Sequence, residues 1–291
     1  MKWKITTLIE NHEDPEGKYI SEHGLSVLIE GDRFRMLMDT GKSGAFFDNA
    51  VDMGISFKDL DCMLLSHSHY DHTGGLIRMW KEKCIPDKLY VGKHFFRKAY
   101  HRRKDGRMKY IGTQFDSQMI KDMGISVIEI EKDSFPIADG VTLQRNFDIV
   151  TPYEELNPDF FYQEEELVCG PGGRCMDSMN YLPDPFEDET AVTLETERGL
   201  FLVVGCSHPG IVNMITSIEA RTGKKICGLI GGTHLVDADE DRVRKTAEDF
   251  KKLGIGFVGV SHCTGDQNLA FLRESFGDSF VFNCTGNVIE I

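Results

Sequence analysis

The chain has 291 residues, of which 41% are hydrophobic, and a formal net charge of -14 at pH 7. This length and composition allow a sizeable core, and we expect one domain that carries an insertion. The acidic balance argues against a nucleic-acid partner, because a phosphate backbone requires clustered Lys and Arg. The start lacks the apolar segment of a signal peptide, and no stretch approaches the ~18 apolar residues of a membrane span. We therefore expect a cytoplasmic protein that binds no membrane.

Strands and helices alternate along most of the chain. Alternating or continuous apolar runs predict strands at residues 3–9, 25–30, 34–39, 61–65, 88–92, 125–130, 141–143, 191–195, 200–204, 226–230 and 256–260. Apolar residues at helical spacing predict helices at residues 45–53, 211–222 and 239–253, and another helix starts near Leu76. The loop over residues 11–24 contains His12 and His23, which we expect to be solvated or structural.

Two charged segments lie between these elements. Residues 93–109 are basic, and Arg102 and Arg103 within them are candidates for binding an anionic substrate group, although such a run is often only a solvated face. Residues 152–189 are acidic and rich in turn formers. We interpret this second segment as an insertion, which could be a lid packed against the basic segment or a contact in a homodimer.

A dense cluster of metal-ligand side chains follows the predicted strand at residues 61–65. His67, His69, Asp71 and His72 fall within six positions. Imidazole nitrogen and carboxylate oxygen atoms are ligands that Zn, Fe and Mn accept, and these side chains reach one centre only if the backbone folds tightly around it. The cluster therefore predicts a metal site at the end of this strand.

Three later strands each end in a histidine, namely His208, His234 and His262. The ends of strands in α/β sheets are where sites are assembled, so we expect these side chains near the first cluster. His208 and His262 are predicted metal ligands. His234 is either a ligand or a catalytic residue that contacts the substrate and transfers a proton.

The segment from His67 to His72 matches the HxHxDH signature of the metallo-β-lactamase superfamily. Asp39-Thr40-Gly41 after an earlier strand is similar to a second motif of that family. The resemblance implies an α/β fold, the four-layer αββα metallo-β-lactamase sandwich, in which the acidic, turn-rich segment is inserted. It also implies one or two divalent metal ions, with zinc as the expected metal and iron or manganese as alternatives.

The resemblance also assigns roles to individual residues. The implied metal ligands form two sets, with His67, His69 and His208 for one ion and Asp71, His72 and His262 for the other. Asp71 would in addition be the catalytic carboxylate beside a metal-bound water. Asp39 would orient the ligand loop through hydrogen bonds rather than bind metal.

The chain departs from the common family pattern at two places. Many members have a ligand histidine in a Thr-Pro-Gly-His loop and a bridging aspartate in a Gly-Asp pair, whereas this chain has Glu189 in the first region and Cys206 in the second. The bridging carboxylate is therefore in doubt. Whether Cys206 or Glu189 joins the metal shell stays open.

Several functions are compatible with these residues. The motifs around His23, His208, His234 and His262 are similar to a subgroup that contains metal-dependent hydrolases and an archaeal synthase of methanopterin biosynthesis. We expect a metal-dependent hydrolase that acts on a small anionic metabolite through a metal-activated water. One alternative is a synthase that joins a dihydropterin to a phosphorylated aminobenzene riboside. The other is an iron-dependent redox protein, with Cys169, Cys175, Cys206 and Cys263 as candidate ligands.

Overall fold

The computed structural model describes residues 2–169 and 175–291. In chain order its strands are β1 (Lys4–Ile9), β2 (Ser26–Gly31), β3 (Phe34–Met38), β4 (Cys62–Leu65), β5 (Leu89–Gly92), β6 (Lys98–Arg102), β7 (Met108–Tyr110), β8 (Val127–Ile130), β9 (Ser134–Ala138), β10 (Val141–Gln144), β11 (Phe160–Cys169), β12 (Cys175–Pro183), β13 (Ala191–Thr196), β14 (Gly199–Val204), β15 (Ile226–Gly232), β16 (Val258–Ser261) and β17 (Val288–Glu290).

The helices lie between these strands, as α1 (Ala45–Asp52), α2 (Tyr70–Thr73), α3 (Leu76–Lys81), α4 (Ser117–Asp122), α5 (Ile211–Thr222), α6 (Glu240–Leu253) and α7 (Asp266–Phe276). Short 3-10 helices occupy His262–Thr264 and Gly277–Ser279. None of the helices in the described ranges is long and apolar enough to span a membrane.

Two large sheets pack face to face over the described residues. The order of the first is β17-β1-β2-β3-β4-β5-β8, and that of the second is β16-β15-β14-β13-β10-β9. Successive side chains of a strand point to opposite faces, so Val27 and Ile29 of β2 face the second sheet while Leu28 faces the helices. Val203 of β14 enters the same inter-sheet core from the other side.

Helices cover both outer faces of this sandwich. Phe46 of α1 and Met79 of α3 pack on the first sheet, and Ile215 of α5 and Phe250 of α6 pack on the second. The buried positions of α6 recur at helical spacing, at Val243, Ala247 and Phe250. The predicted α/β fold with its four-layer αββα arrangement is therefore confirmed.

A third sheet has the order β12-β11-β6-β7. It joins the acidic segment to the basic one, because β11 pairs with β6 in a register that places Phe160 opposite His101. We predicted that turn formers break the acidic segment, and this is wrong for residues 160–169 and 175–183, because β11 and β12 pair with each other along almost their whole length and β11 also pairs with β6. Residues 170–174, which contain the glycine-rich stretch, lie outside the described residues. A role as a lid or as a contact in a homodimer stays a prediction.

Candidate metal centre

The candidate metal centre lies at one edge of the two large sheets, where β3, β4, β14, β15 and β16 end. Four residues next to these ends, Asp39, Ser207, His234 and His262, have φ angles of 61°, 62°, 46° and 54°. Left-handed backbone is uncommon for residues other than glycine and clusters at functional sites. Uncommon backbone conformations are therefore concentrated at the candidate metal centre.

One group of ligand atoms comes from His67, His69 and His208. The three side chains are buried, and their ligand nitrogens lie within 4.8 Å of one another. Nδ1 of His69 is 3.2 Å from Nε2 of His208. Nε2 of His67 is buried and has no hydrogen-bond partner among the described residues. A buried nitrogen without a partner costs free energy, which a bound metal would offset.

A second group comes from Asp71, His72 and His262. Nε2 of His72 is 3.1 Å from Nε2 of His262, and Oδ2 of Asp71 is 3.4 Å from the His262 nitrogen and 4.0 Å from the His72 nitrogen. These side chains are also buried. The structure thus brings all six predicted ligands together, and His67 and His72 also share a compact group with Cys206.

Cys206 lies where the two groups meet. Its Sγ is 3.1 Å from Nε2 of His72, and it forms a compact cluster with His67 and His72 on one side and with His262 and Cys263 on the other. The thiol therefore occupies the place between the groups where many family members have a bridging carboxylate. Burial raises the pKa of this thiol well above its usual value, and the neighbouring Cys263 acts in the same direction.

Asp39 holds the first ligand loop in place. Its carboxylate accepts hydrogen bonds from the Ser66 backbone N–H at 2.7 Å and from the Ser66 hydroxyl at 2.7 Å, and it lies 2.7 Å from Nδ1 of His72. A carboxylate only accepts, so Nδ1 of His72 donates and Nε2 presents its lone pair to the centre. Ser66 in turn accepts from Nδ1 of His67 at 2.9 Å, which turns Nε2 of His67 inward.

Residues from the N-terminal loop complete the support of His262, and sequence reasoning missed them. Glu10 accepts from the His262 backbone N–H at 2.5 Å, and Oδ1 of Asn11 lies 2.9 Å from Nδ1 of His262. We expected His23 to be solvated or structural, but its Nε2 is 3.1 Å from Oδ2 of Asp71. Because Nδ2 of Asn11 lies 3.4 Å from Nδ1 of His23, that nitrogen accepts and Nε2 donates to Asp71. His23 thus positions the carboxylate.

Asp188 and Glu189 stabilise the ligand loops by accepting hydrogen bonds from their backbone N–H groups. Oδ2 of Asp188 accepts from the Ser68 backbone N–H at 2.8 Å, and Glu189 accepts from the backbone N–H groups of Ser207 at 2.9 Å and His208 at 3.4 Å. Burial raises the pKa of Glu189 to about 8. Glu189 is absent from the compact ligand groups of the described residues, so its geometry favours positioning of His208 over metal binding.

The centre opens into a cavity of about 700 Å³. His234 lines it, and the centroid of its ring lies 4.3 Å from that of the His208 ring. Burial lowers the pKa of His234 to about 4. Arg102 lines an adjoining cavity but pairs with Asp159 at 2.7 Å, and Arg103 is not among the residues that line either space.

The ligand atoms fit a divalent metal. Neutral imidazole is the ligand form of histidine, and burial lowers the pKa of His67 and His208 well below the usual value and that of His69 to about 3. A tetrahedral zinc spaces its nitrogen, oxygen and sulfur ligands by ~3.3–3.6 Å. The distances of 3.1 to 4.0 Å within the groups bracket that range.

The structure describes the side chains of two of the four cysteines considered for an iron site. Cys206 and Cys263 lie at the metal centre. Cys169 and Cys175 are paired in register at the ends of β11 and β12, but their side chains lie outside the described positions. The redox alternative stays a prediction.

Comparisons with known proteins identify the family of the chain. Residues 21–174 match the family model of the metallo-beta-lactamase superfamily, so the chain belongs to that superfamily. It is 31% identical, over 99% of its length and 96% of the relative, to 7,8-dihydropterin-6-methyl-4-(beta-D-ribofuranosyl)-aminobenzene-5'-phosphate synthase of Methanocaldococcus jannaschii. It is 28% identical to the uncharacterized protein MJ0448 of the same organism, over 94% of this chain and 95% of the relative.

A solved structure is similar over the whole fold as well. The crystal structure of Tm1679, described as a metal-dependent hydrolase of the beta-lactamase superfamily, has a TM-score of 0.80 and 26% identity, and the match covers 99% of each chain. The predicted family and fold are therefore confirmed, and the relatives include both a synthase and a hydrolase.

Proposed function

We propose that the protein is a metal-dependent hydrolase that acts on a small anionic metabolite. The observation that carries this proposal is the pair of buried ligand groups that converge at the floor of an open cavity of about 700 Å³. A divalent metal bound there supplies a Lewis acid for a carbonyl or phosphoryl oxygen and makes water a nucleophile near neutral pH. We expect zinc, with iron or manganese as alternatives.

The side chains divide the work in this proposal. The metal ligands are those of the two groups, His67, His69 and His208 with Asp71, His72 and His262. Asp71 also has a catalytic role, because its carboxylate borders the cavity, accepts a hydrogen bond from His23 and can orient a water for attack. Asp39, Glu10 and Glu189 fix the orientation of the ligands but do not reach the cavity.

His234 is the proposed proton donor and acceptor toward the substrate. It lines the cavity beside His208, whose ring centroid is 4.3 Å away. A neutral imidazole in this place can hold a proton at one nitrogen and accept one at the other. This combination suits transfer of a proton to a leaving group.

Metal analysis of the purified protein tests the proposal. The wild-type protein should contain one or two divalent ions per chain, and the His67→Ala/His69→Ala double variant should lose at least one. His94→Ala is the matched control, because this histidine lies outside the ligand groups and interacts with Glu187 at 3.5 Å. A double variant with a full metal complement would contradict the assignment. A screen of lactones, phosphodiesters and thioesters on the loaded protein then identifies the bond that is cleaved.

We further propose that Cys206 binds metal as a thiolate in place of the bridging carboxylate. Its Sγ contact of 3.1 Å with Nε2 of His72 is the supporting observation. In cobalt-substituted protein a thiolate ligand gives a near-ultraviolet charge-transfer band, which Cys206→Ala should remove. Cys227→Ser, at a cysteine beside Thr196, should keep the band. A band that persists in Cys206→Ala would contradict this assignment.

A second candidate is a synthase that joins a dihydropterin to a phosphorylated aminobenzene riboside. The 31% identity to the Methanocaldococcus synthase over 99% of the chain favours it. The same metal centre would then act as a Lewis acid in bond formation. Incubation with a pterin diphosphate and an aminobenzene ribotide separates the candidates, because a condensed product without free hydrolysis products indicates the synthase.

A further inference from the structure

A second cavity of about 690 Å³ continues from the metal centre away from the ligand groups. It shares His101, His208 and His234 with the first cavity. Its far wall consists of the loop at residues 152–159 and of the start of α6. A substrate whose reacting bond lies at the metal centre can therefore extend past His234 into this space.

Arg242 of α6 is a cation without a partner in this second cavity. Its Nε is buried without a hydrogen-bond partner, and its guanidinium forms no ion pair with the part of the chain that the structure describes. Of the other long basic side chains that line this cavity, Arg102 pairs with Asp159 at 2.7 Å and Lys245 with Asp241 at 2.5 Å, whereas Lys104 forms no ion pair within the described ranges. An incompletely hydrogen-bonded, half-buried guanidinium is costly unless an anion satisfies it.

Nearby carboxylates do not satisfy Arg242. Glu154 is buried close enough to interact electrostatically with it, but the Glu154 carboxylate accepts from the backbone N–H groups of Val212 at 3.0 Å and Asn213 at 2.7 Å. Asp239 caps α6 by accepting from the Arg242 backbone N–H at 2.8 Å. The cavity carboxylates Glu155 and Asp237 are exposed to solvent.

Arg242 also lies within electrostatic reach of His234. Burial lowers the pKa of His234 to about 4, Asp237 opposes that shift, and the charge of Arg242 acts in the same direction as burial. The guanidinium and the proposed proton-transfer residue thus face a shared space. One bound molecule could contact both of them.

We propose that Arg242 binds an anionic group of the substrate, a phosphate or a carboxylate, in the second cavity. The inference rests on the proposed function, in that the reacting part of the same molecule lies at the metal centre. The planar guanidinium suits both anions, because it donates two parallel hydrogen bonds to a pair of oxygens. The proposed contact lies on α6, and Arg102 of the basic segment at residues 93–109 is already paired with Asp159.

Chemical modification of the metal-loaded wild-type protein tests the proposal at a single residue. Phenylglyoxal reacts with accessible guanidinium groups, and peptide mass spectrometry gives a separate rate for each arginine. Inorganic phosphate or acetate should slow the modification of Arg242 by about tenfold and leave that of Arg244 unchanged. Arg244 is an internal control, because it lies on the same helix and pairs with Asp241 and Glu248. The anion that protects better identifies the bound group. An Arg242 modification rate that neither anion slows would overturn the proposal.

Calorimetric titration provides a second measurement. Arg242→Gln should weaken the binding of the protecting anion by about tenfold, or 1.4 kcal/mol, and Arg244→Gln by less than about twofold. An unchanged affinity in Arg242→Gln would also overturn the inference. Metal content separates this outcome from failure of the proposed function. If the wild-type protein contains no metal but anions still protect Arg242, the proposed metal-dependent function is contradicted and the proposed anion-binding site is supported.

Discussion

The metal centre buries its charged side chains, whereas the third sheet exposes them to solvent. At the metal centre Asp39 is fully buried, and three hydrogen bonds of 2.7 Å engage its carboxylate. On the third sheet Arg102 and Asp159 form an ion pair in which the side chains are 46% and 45% exposed. Water replaces a lost partner at the exposed pair but not at the buried carboxylate. Similar numbers of contacts should therefore have very different energetic consequences.

Removal of the Asp39 carboxylate should have the largest effect. Asp39→Ala leaves Ser66 and His72 without their acceptor, and we expect the free energy of unfolding to fall by about 3 kcal/mol. Metal affinity should also fall ~10–100-fold, because His72 loses the partner that fixes its tautomer. Chemical denaturation and metal titration measure the two effects.

The matched control for this prediction is Asp52→Ala, since Asp52 is an exposed residue at the end of α1. It should change stability by less than about 0.5 kcal/mol. If Asp39→Ala binds metal as tightly as the wild-type protein, the buried network does not orient the ligands, and the contrast between the two regions loses its basis.

The same contrast explains which features could be predicted from the sequence. His67, His69, Asp71 and His72 form a local pattern. His208 follows an apolar strand, and its place at the strand end together with the family resemblance predicted it near them. Glu10 contacts His262 across 252 positions, and no local pattern encodes that contact. The only signal for His23 was its place in a motif shared with a subgroup of the family.

The third sheet escaped prediction for a related reason. The glutamates of β11 and the prolines around it have low strand propensity, but β11 pairs with β12 along almost its whole length, and its first residues also pair with the distant β6. Arg242 was missed because its significance lies in the partners that it lacks. Ordinary helical spacing predicts α6 but does not indicate which of its arginines stays unpaired.

The stability of a His12 variant as a function of pH tests whether His12 supports His262 through Glu10, which contacts both residues. The hydrogen bond to Glu10 raises the pKa of His12 to about 9, against the opposing effect of burial and with help from Asp266. The pKa of His12 is higher in the folded protein than its value of about 6.5 in the unfolded chain. The stabilisation from charged His12 is therefore complete below pH 6.5 and is lost as the pH rises through 9. His12→Gln should cost about 1 kcal/mol at pH 6, reduced for solvent screening, and much less at pH 9.5.

Denaturation with saturating metal at each pH measures the difference between His12→Gln and the wild-type protein. Asp266→Asn is a useful companion variant, because it removes only the exposed partner of His12 at 2.9 Å and should reproduce a small part of the effect. A difference that stays constant between pH 6 and pH 9.5 would show that the charge of His12 does not support the loop.

The smallest effect is expected at the exposed pair of the third sheet. Arg102→Ala removes the ion pair with Asp159 and the contact of its guanidinium with the Phe161 ring, whose centroid is 5.1 Å away. Both groups regain water, so the free energy of unfolding should fall by only about 0.5 kcal/mol and the remaining effect should shrink in high salt. Anion binding should persist, because Asp159 already neutralises this arginine. A tenfold loss of phosphate affinity in Arg102→Ala with none in Arg242→Gln would move the anionic subsite from α6 to β6.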